Sequence, residues 1–168
     1  MILLSTLSSD KKRRVAAIDP SLIQPIGELT VNFAMLESIL KHGIQHLLFP
    51  GPYSHSKHDT AAIITAEMSF RRLVHLFECL VRDRCAESDV QTCKALCAEM
   101  FRIEEKRNAI IHSEWGLDAG SRLTVRMKTT AKAKGLRRHR ERLRAEGVAE
   151  IAEEIGEVAK RLDDFIGV

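Results

Sequence analysis

Apolar side chains at Leu29, Phe33, Leu36, Leu40, Ile44 and Leu47 return every three or four positions, the repeat that lines one face of an α-helix. A stripe of this length has to be covered, and the chain offers further helices with the same repeat. Asp19 stands where a helix N-cap belongs and Pro20 where a first helical residue does, so residues 20–48 are expected to form the first helix, stopped by Pro50-Gly51-Pro52. After a polar loop through Asp59, residues 60–85 carry Ile63, Ile64, Phe70, Leu73, Leu76, Phe77, Leu80 and Val81, with a break expected near Ser69. Ser88 or Asp89 can cap a third long helix that reaches His112 or Trp115. Near the end, Val148, Ile151, Ile155, Val158, Leu162 and Phe165 mark a last helix.

At 168 residues the chain suits one domain spanning 1–168. Its apolar fraction of 45% with only 5% aromatic residues favours a mainly α fold. Residues 1–18 read as a flexible N-terminal segment. Residues 116–144 read as a basic hairpin or loop insertion, because Leu117-Asp118-Ala119-Gly120-Ser121 has turn chemistry and residues 123–127 alternate apolar with polar. Within residues 122–144 ten lysines and arginines face one acid, Glu141, although the whole chain has a net charge of only +3. The four cysteines, Cys79, Cys85, Cys93 and Cys97, sit in apolar helical sequence and read as reduced core thiols. With no signal peptide, no membrane span and no membrane partner expected, the chain is placed in the cytoplasm.

Chemistry concentrates in Arg107-Asn108-Ala109-Ile110-Ile111-His112. A guanidinium clamps phosphate, and an imidazole with an ordinary pKa near ~6.5 moves protons at neutral pH. On a helix, Asn108 and His112 share a face to within about 40°, whereas Arg107 and His112 differ by about 140°. Arg107 falls in the middle of the apolar stripe Leu96, Met100, Ile103, Ile110 and Ile111, while Cys97, Phe101, Asn108, His112 and Trp115 occupy the adjacent sector. So wide an apolar arc needs more than one packing partner, which points to a second subunit beside the chain's own bundle, with Phe101 or Trp115 near its two-fold axis.

The stretch EEKRNAIIHSEW, with its arginine, four intervening residues and histidine, resembles the signature of HEPN domains, and the likeness extends over about residues 20–112 with a further helix near the C-terminus. The resemblance implies a four- to five-helix HEPN-like bundle. It also implies a homodimer in which two motif helices meet at a shared cleft. It implies further a metal-independent endoribonuclease without cofactor, of the kind found among toxins and defence effectors, with a cognate antitoxin as a further partner. Arg107 would then stabilise the transition state, His112 act as general acid or base, and Asn108 orient the imidazole or bind a phosphate oxygen. Arg122, Arg126, Lys128, Arg137, Arg138 and Arg140 would track the RNA backbone.

Plainer readings stand beside these. Arg107 can pair with Glu78 or Glu37, and His112 can cap its helix, which would leave a non-catalytic helical dimerisation or RNA-binding module. The basic segment can be a solvated face balancing the acidic C-terminal helix. His42, His46, His55 and His58 suggest zinc only weakly, since no acid or cysteine joins them at motif spacing, and no metal site is expected. Glycine-rich phosphate loops and dinucleotide fingerprints are missing from the sequence, which disfavours a nucleotide hydrolase or a dehydrogenase.

Overall fold

The computed structural model describes residues 18–52, 54–117, 124–132 and 135–167. Among these lie five α-helices: α1 (Ile23–Leu48), α2 (His55–Thr65), α3 (Phe70–Arg84), α4 (Glu87–Ile111) and α5 (Ala145–Ile166). Between α4 and α5 the chain forms an antiparallel sheet of β1 (Glu114–Leu117), β2 (Thr124–Lys132) and β3 (Gly135–Arg142), in that order. The fold is therefore mainly α, a helical bundle carrying a small sheet. Apart from Ile18, the N-terminal segment singled out in the sequence lies outside the described residues, as does Arg122.

The periodic stripe of α1 is the centre of the core, with Leu29, Leu36, Leu40 and Ile44 fully buried. Each such side chain contributes about 1.5–3 kcal/mol. The cap works as expected, Asp19 accepting from the Ser21 amide at 3.0 Å. The first turn is nevertheless 3-10, Pro20–Leu22, and the α-helix begins at Ile23. Helix α5 runs parallel to α1: Asn32 Nδ2 donates to the Ala152 carbonyl at 2.8 Å near one end, and Gly43 meets Ile166 near the other. A Cβ on Gly43 would stand 2.6 Å from Ile166 Cδ1 and 2.9 Å from Phe77 Cε2, so glycine sets the close approach of three helices. Helix α4 runs against both neighbours. Arg71 and His75 of α3 face Glu104 and Phe101, while Arg102 pairs with Glu154 of α5 and Glu99 with Arg161.

Several expectations need correction. The polar loop through Asp59 is already helical from His55, and Ile63 and Ile64 do not serve the core: Ile63 is 77% exposed and Ile64 40%. The reason is size, since the side chains that α2 buries are the small ones, Ala61 and Thr65. The break near Ser69 is present, with α3 starting at Phe70. Helix α4 starts at Glu87, with Ala86 at the N-cap position, so Ser88 and Asp89 lie inside the first turn instead of capping it. Only Cys93 and Cys97 are core thiols, 3.8 Å apart at sulfur; Cys79 is exposed and Cys85 half-buried.

The end of α4 departs most from expectation. The helix stops at Ile111, His112 takes the C-cap position with φ −100° and ψ 13°, and Trp115 belongs to β1 instead of a last helical turn. The sheet begins at Glu114, ahead of the expected insertion, and its main hairpin joins β2 to β3, pairing Arg126 with Glu141. The two packing partners that the apolar arc of α4 demands are α3 and α5 of the same chain. Phe101 and Trp115 are half-buried against the chain's own core.

Candidate active site

Where α4 ends, carbonyls of its last turn have no partner further along the helix. The Ala109 carbonyl receives two donors instead: the Ser113 hydroxyl and Nη1 of Arg126, the latter at 2.7 Å from the middle of the sheet. A cation at a helix C-terminus also meets the negative end of the helix dipole. Arg126 is fixed there by Glu141, whose carboxylate accepts from Nε at 2.8 Å and from Nη2. The sequence suggests Arg126 as an RNA contact; its guanidinium is engaged in holding the sheet to the motif helix.

Arg107, Asn108 and His112 come together at this terminus. Nη1 of Arg107 donates to Asn108 Oδ1 at 3.0 Å and lies 3.2 Å from His112 Nε2. A guanidinium only donates, so Nε2 accepts and the ring proton sits on Nδ1. The helical projection separates arginine from histidine, yet they are in contact, because His112 has left helical geometry and Arg107 is long enough to reach it. Asn108 orients the arginine through its side chain and not the imidazole; its carbonyl accepts from the His112 amide at 3.1 Å.

No carboxylate neutralises Arg107 among the described residues. Glu78 pairs with Arg82, and Glu37 with Lys41 at 2.6 Å. Instead the guanidinium carbon lies 5.0 Å from the centre of the Phe33 ring on α1, a contact worth about 0.5–2 kcal/mol depending on desolvation. Arg107 Nε is buried without an acceptor.

Asn108 and His112 line an open cleft of about 590 Å³ together with Glu105, Ser113, Glu114 and Met127. A larger groove, about 750 Å³, lies on the other side of Ala109. It contains none of Arg107, Asn108 and His112, and its lining mixes Arg142 and Arg144 with Glu146 and Glu150. The smaller cleft is thus the one that Asn108 and His112 line, with Arg107 behind them and not in its wall. Its acids, Glu105 and Glu114, stand in the stretch that carries the resemblance but had no role assigned there, and the Phe33 contact had no sequence signal, since a phenylalanine in an apolar stripe reads as core.

The basic residues are distributed over the sheet. Arg140 is exposed and makes no ion pair or side-chain hydrogen bond among the described residues, as holds for Arg142 and Arg144. Lys128, Arg137 and Arg138 occupy β2 and β3, opposite His139, Thr130 and Thr129 respectively. Among the described residues no three histidine, cysteine, aspartate or glutamate side chains gather as a metal site requires, and no helix is long and apolar enough to cross a membrane. Comparisons with protein-family models, with curated proteins and with solved structures find no match to this chain.

Proposed function

We propose that this chain is a HEPN-like endoribonuclease that cleaves RNA through Arg107 and His112, without a metal or cofactor. The observation that carries the reading is the contact between Arg107 Nη1 and His112 Nε2 beside an open cleft, made by an arginine with no carboxylate partner among the described residues. In the reaction the RNA 2′-oxygen attacks phosphorus and the bond to the 5′-oxygen breaks. His112 Nε2, once released from Arg107, takes the 2′ proton, and a protonated imidazole, the His112 of a second protomer, returns one to the leaving 5′-oxygen, giving a 2′,3′-cyclic phosphate and a 5′-hydroxyl. Arg107 Nη2, which makes no hydrogen bond among the described residues, is available to a phosphate oxygen as charge builds up. Arg140, with Lys128, Arg137 and Arg138 on the same hairpin, would hold the strand through its backbone.

The homodimer belongs to this reading, since a second protomer would bring a second His112. It rests on the resemblance, because α4 finds its packing partners within the chain. Light scattering should give twice 18.9 kDa. A role as a toxin or defence effector restrained by an antitoxin rests on the same resemblance, as does a cytoplasmic location.

The test is cleavage of single-stranded RNA in the presence of a chelator. General acid–base catalysis contributes about 100- to 10,000-fold, so His112→Ala should lose at least the lower factor. Equal rates for wild type and His112→Ala would assign the activity elsewhere. One observation favours a second reading: the motif side chains bond to one another through Nη1 of Arg107, and Arg126 is tied internally. A non-catalytic RNA-binding module would bind the same RNA and leave it intact.

A further inference from the structure

We propose that Phe33 is the positioning residue for Arg107, a fixed aromatic platform that aims the guanidinium while leaving its charge available; this rests on the ribonuclease reading above. Three observations converge on it. The guanidinium carbon stands 5.0 Å from the ring centre. The ring has little freedom, being 7% exposed and held by Phe70 of α3 with ring centres 4.6 Å apart. Nε, the atom nearest the aliphatic stem of the arginine, is buried without an acceptor.

Arg107 is half-buried, and a guanidinium so placed ordinarily takes a carboxylate, which holds it but cancels its field. An aromatic face attracts the cation through its quadrupole and adds no charge. The positive charge needed against a phosphate in the transition state is then kept, and its direction is set by packing from α1 and α3. Misplacement of a reacting group by about 1 Å costs up to roughly 100-fold. Phe33→Leu keeps an apolar side chain but removes the π face, so kcat should fall by about 10- to 100-fold with KM nearly unchanged.

A purely structural phenylalanine would also lower activity, so the test is a cycle. Wild type, Phe33→Leu, Arg107→Ala and the double variant are compared for kcat and KM on one RNA, with Phe33→Tyr as the conservative control. Phe33→Tyr should remain within about threefold of wild type, and adding Phe33→Leu to Arg107→Ala should change nothing further. A full additional loss in the double variant would overturn the proposal. Because Phe33→Leu can also loosen the core, a ring-fluorinated phenylalanine at position 33, which keeps its shape and drains the π face, should reproduce the loss.

The platform is also readable without catalysis. The Arg107 Nε–Hε NMR signal, assigned by its disappearance in Arg107→Ala, should be shifted upfield by the ring and slow to exchange, and should lose both properties in Phe33→Leu and the upfield shift in no folded variant that keeps the ring. An unshifted, fast-exchanging signal in wild type would overturn the platform. Absence of RNA cleavage by wild type with the NMR signature intact would sink the ribonuclease reading and leave the platform standing.

Discussion

Arg71 and Arg107 each hold a guanidinium carbon 5.0 Å from the centre of a phenylalanine ring, Phe101 for the first and Phe33 for the second, but their remaining partners differ. Arg71 has the carboxylate of Glu104 at 2.9 Å and that of Glu105 at 3.8 Å. Arg107 has an amide and an imidazole. Two arginines on the same kind of ring therefore have opposite electrostatics: one charge is neutralised within the chain, the other is kept. The same distinction runs through the neighbouring surface, where Arg102 and Lys106 share Glu154 and Arg126 holds Glu141, while Arg140 and Arg142 have no acid partner among the described residues. A retained charge beside an imidazole is what distinguishes a candidate site from a structural ion pair.

The largest effect should come from exchanging the two arginines for alanine. Arg107→Ala should lower RNA cleavage by about 100- to 1,000-fold, the usual consequence of removing one donor to a charged transition state. Arg71→Ala should stay within about threefold in cleavage rate, since Arg71 contacts neither Arg107 nor His112, and its cost should fall on stability, because the largely buried Glu104 carboxylate loses its cation. Similar losses in both would remove the distinction.

Arg126→Ala sharpens it from the structural side. Losing the helix-terminal hydrogen bond together with the Glu141 pair should cost about 1–2 kcal/mol in urea unfolding. A stable Arg126→Ala protein with weakened RNA binding would return Arg126 to the list of RNA contacts.

For the charges without partners, the double substitution Arg140→Ala with Arg142→Ala is informative. Each phosphate contact to a single strand adds about −0.7 to the slope of log affinity against log salt, so the slope should become shallower by up to about 1.4. Fluorescence anisotropy in the His112→Ala background measures it without turnover. An unchanged slope would mean that the sheet faces away from the RNA.

The smallest effect concerns Glu154. The hydrogen bond from Lys106, with the charges of Lys106 and Arg102, holds its carboxyl below the ordinary 4.5. A carboxyl depressed in the folded state stabilises the protein above its unfolded value, and that contribution is lost as pH falls through the folded value. Glu154→Gln should therefore lower stability near neutral pH by up to about 1 kcal/mol, since its partners Arg102 and Lys106 are partly exposed and solvent screens the pair. The difference from wild type should shrink as pH falls from 4.5. A constant difference across that range would show that packing, and not charge, is what the substitution removes.

The repeat of apolar residues determined the helices of this protein, because periodicity is local and the burial of Leu29, Leu36, Leu40 and Ile44 follows from one face being apolar. The sequence also marked the candidate site, since an arginine and a histidine in an apolar helix are visible without any fold. It did not determine where α4 ends. Trp115 continues a helical pattern, and only the pairing of Glu114–Leu117 with β2 and the arrival of Arg126 at the Ala109 carbonyl make it a strand. Nor did the sequence tell Arg71 from Arg107, or Ile63 from a core isoleucine. Both are basic or apolar residues in helical sequence, and which meets a carboxylate, a ring or water depends on neighbours supplied by other helices. Phe33 and Arg107 are brought together from α1 and α4 by tertiary packing alone. Local patterning sets which face of a helix is buried; the partner it is buried against is a long-range contact, and that was decided only when the bundle closed.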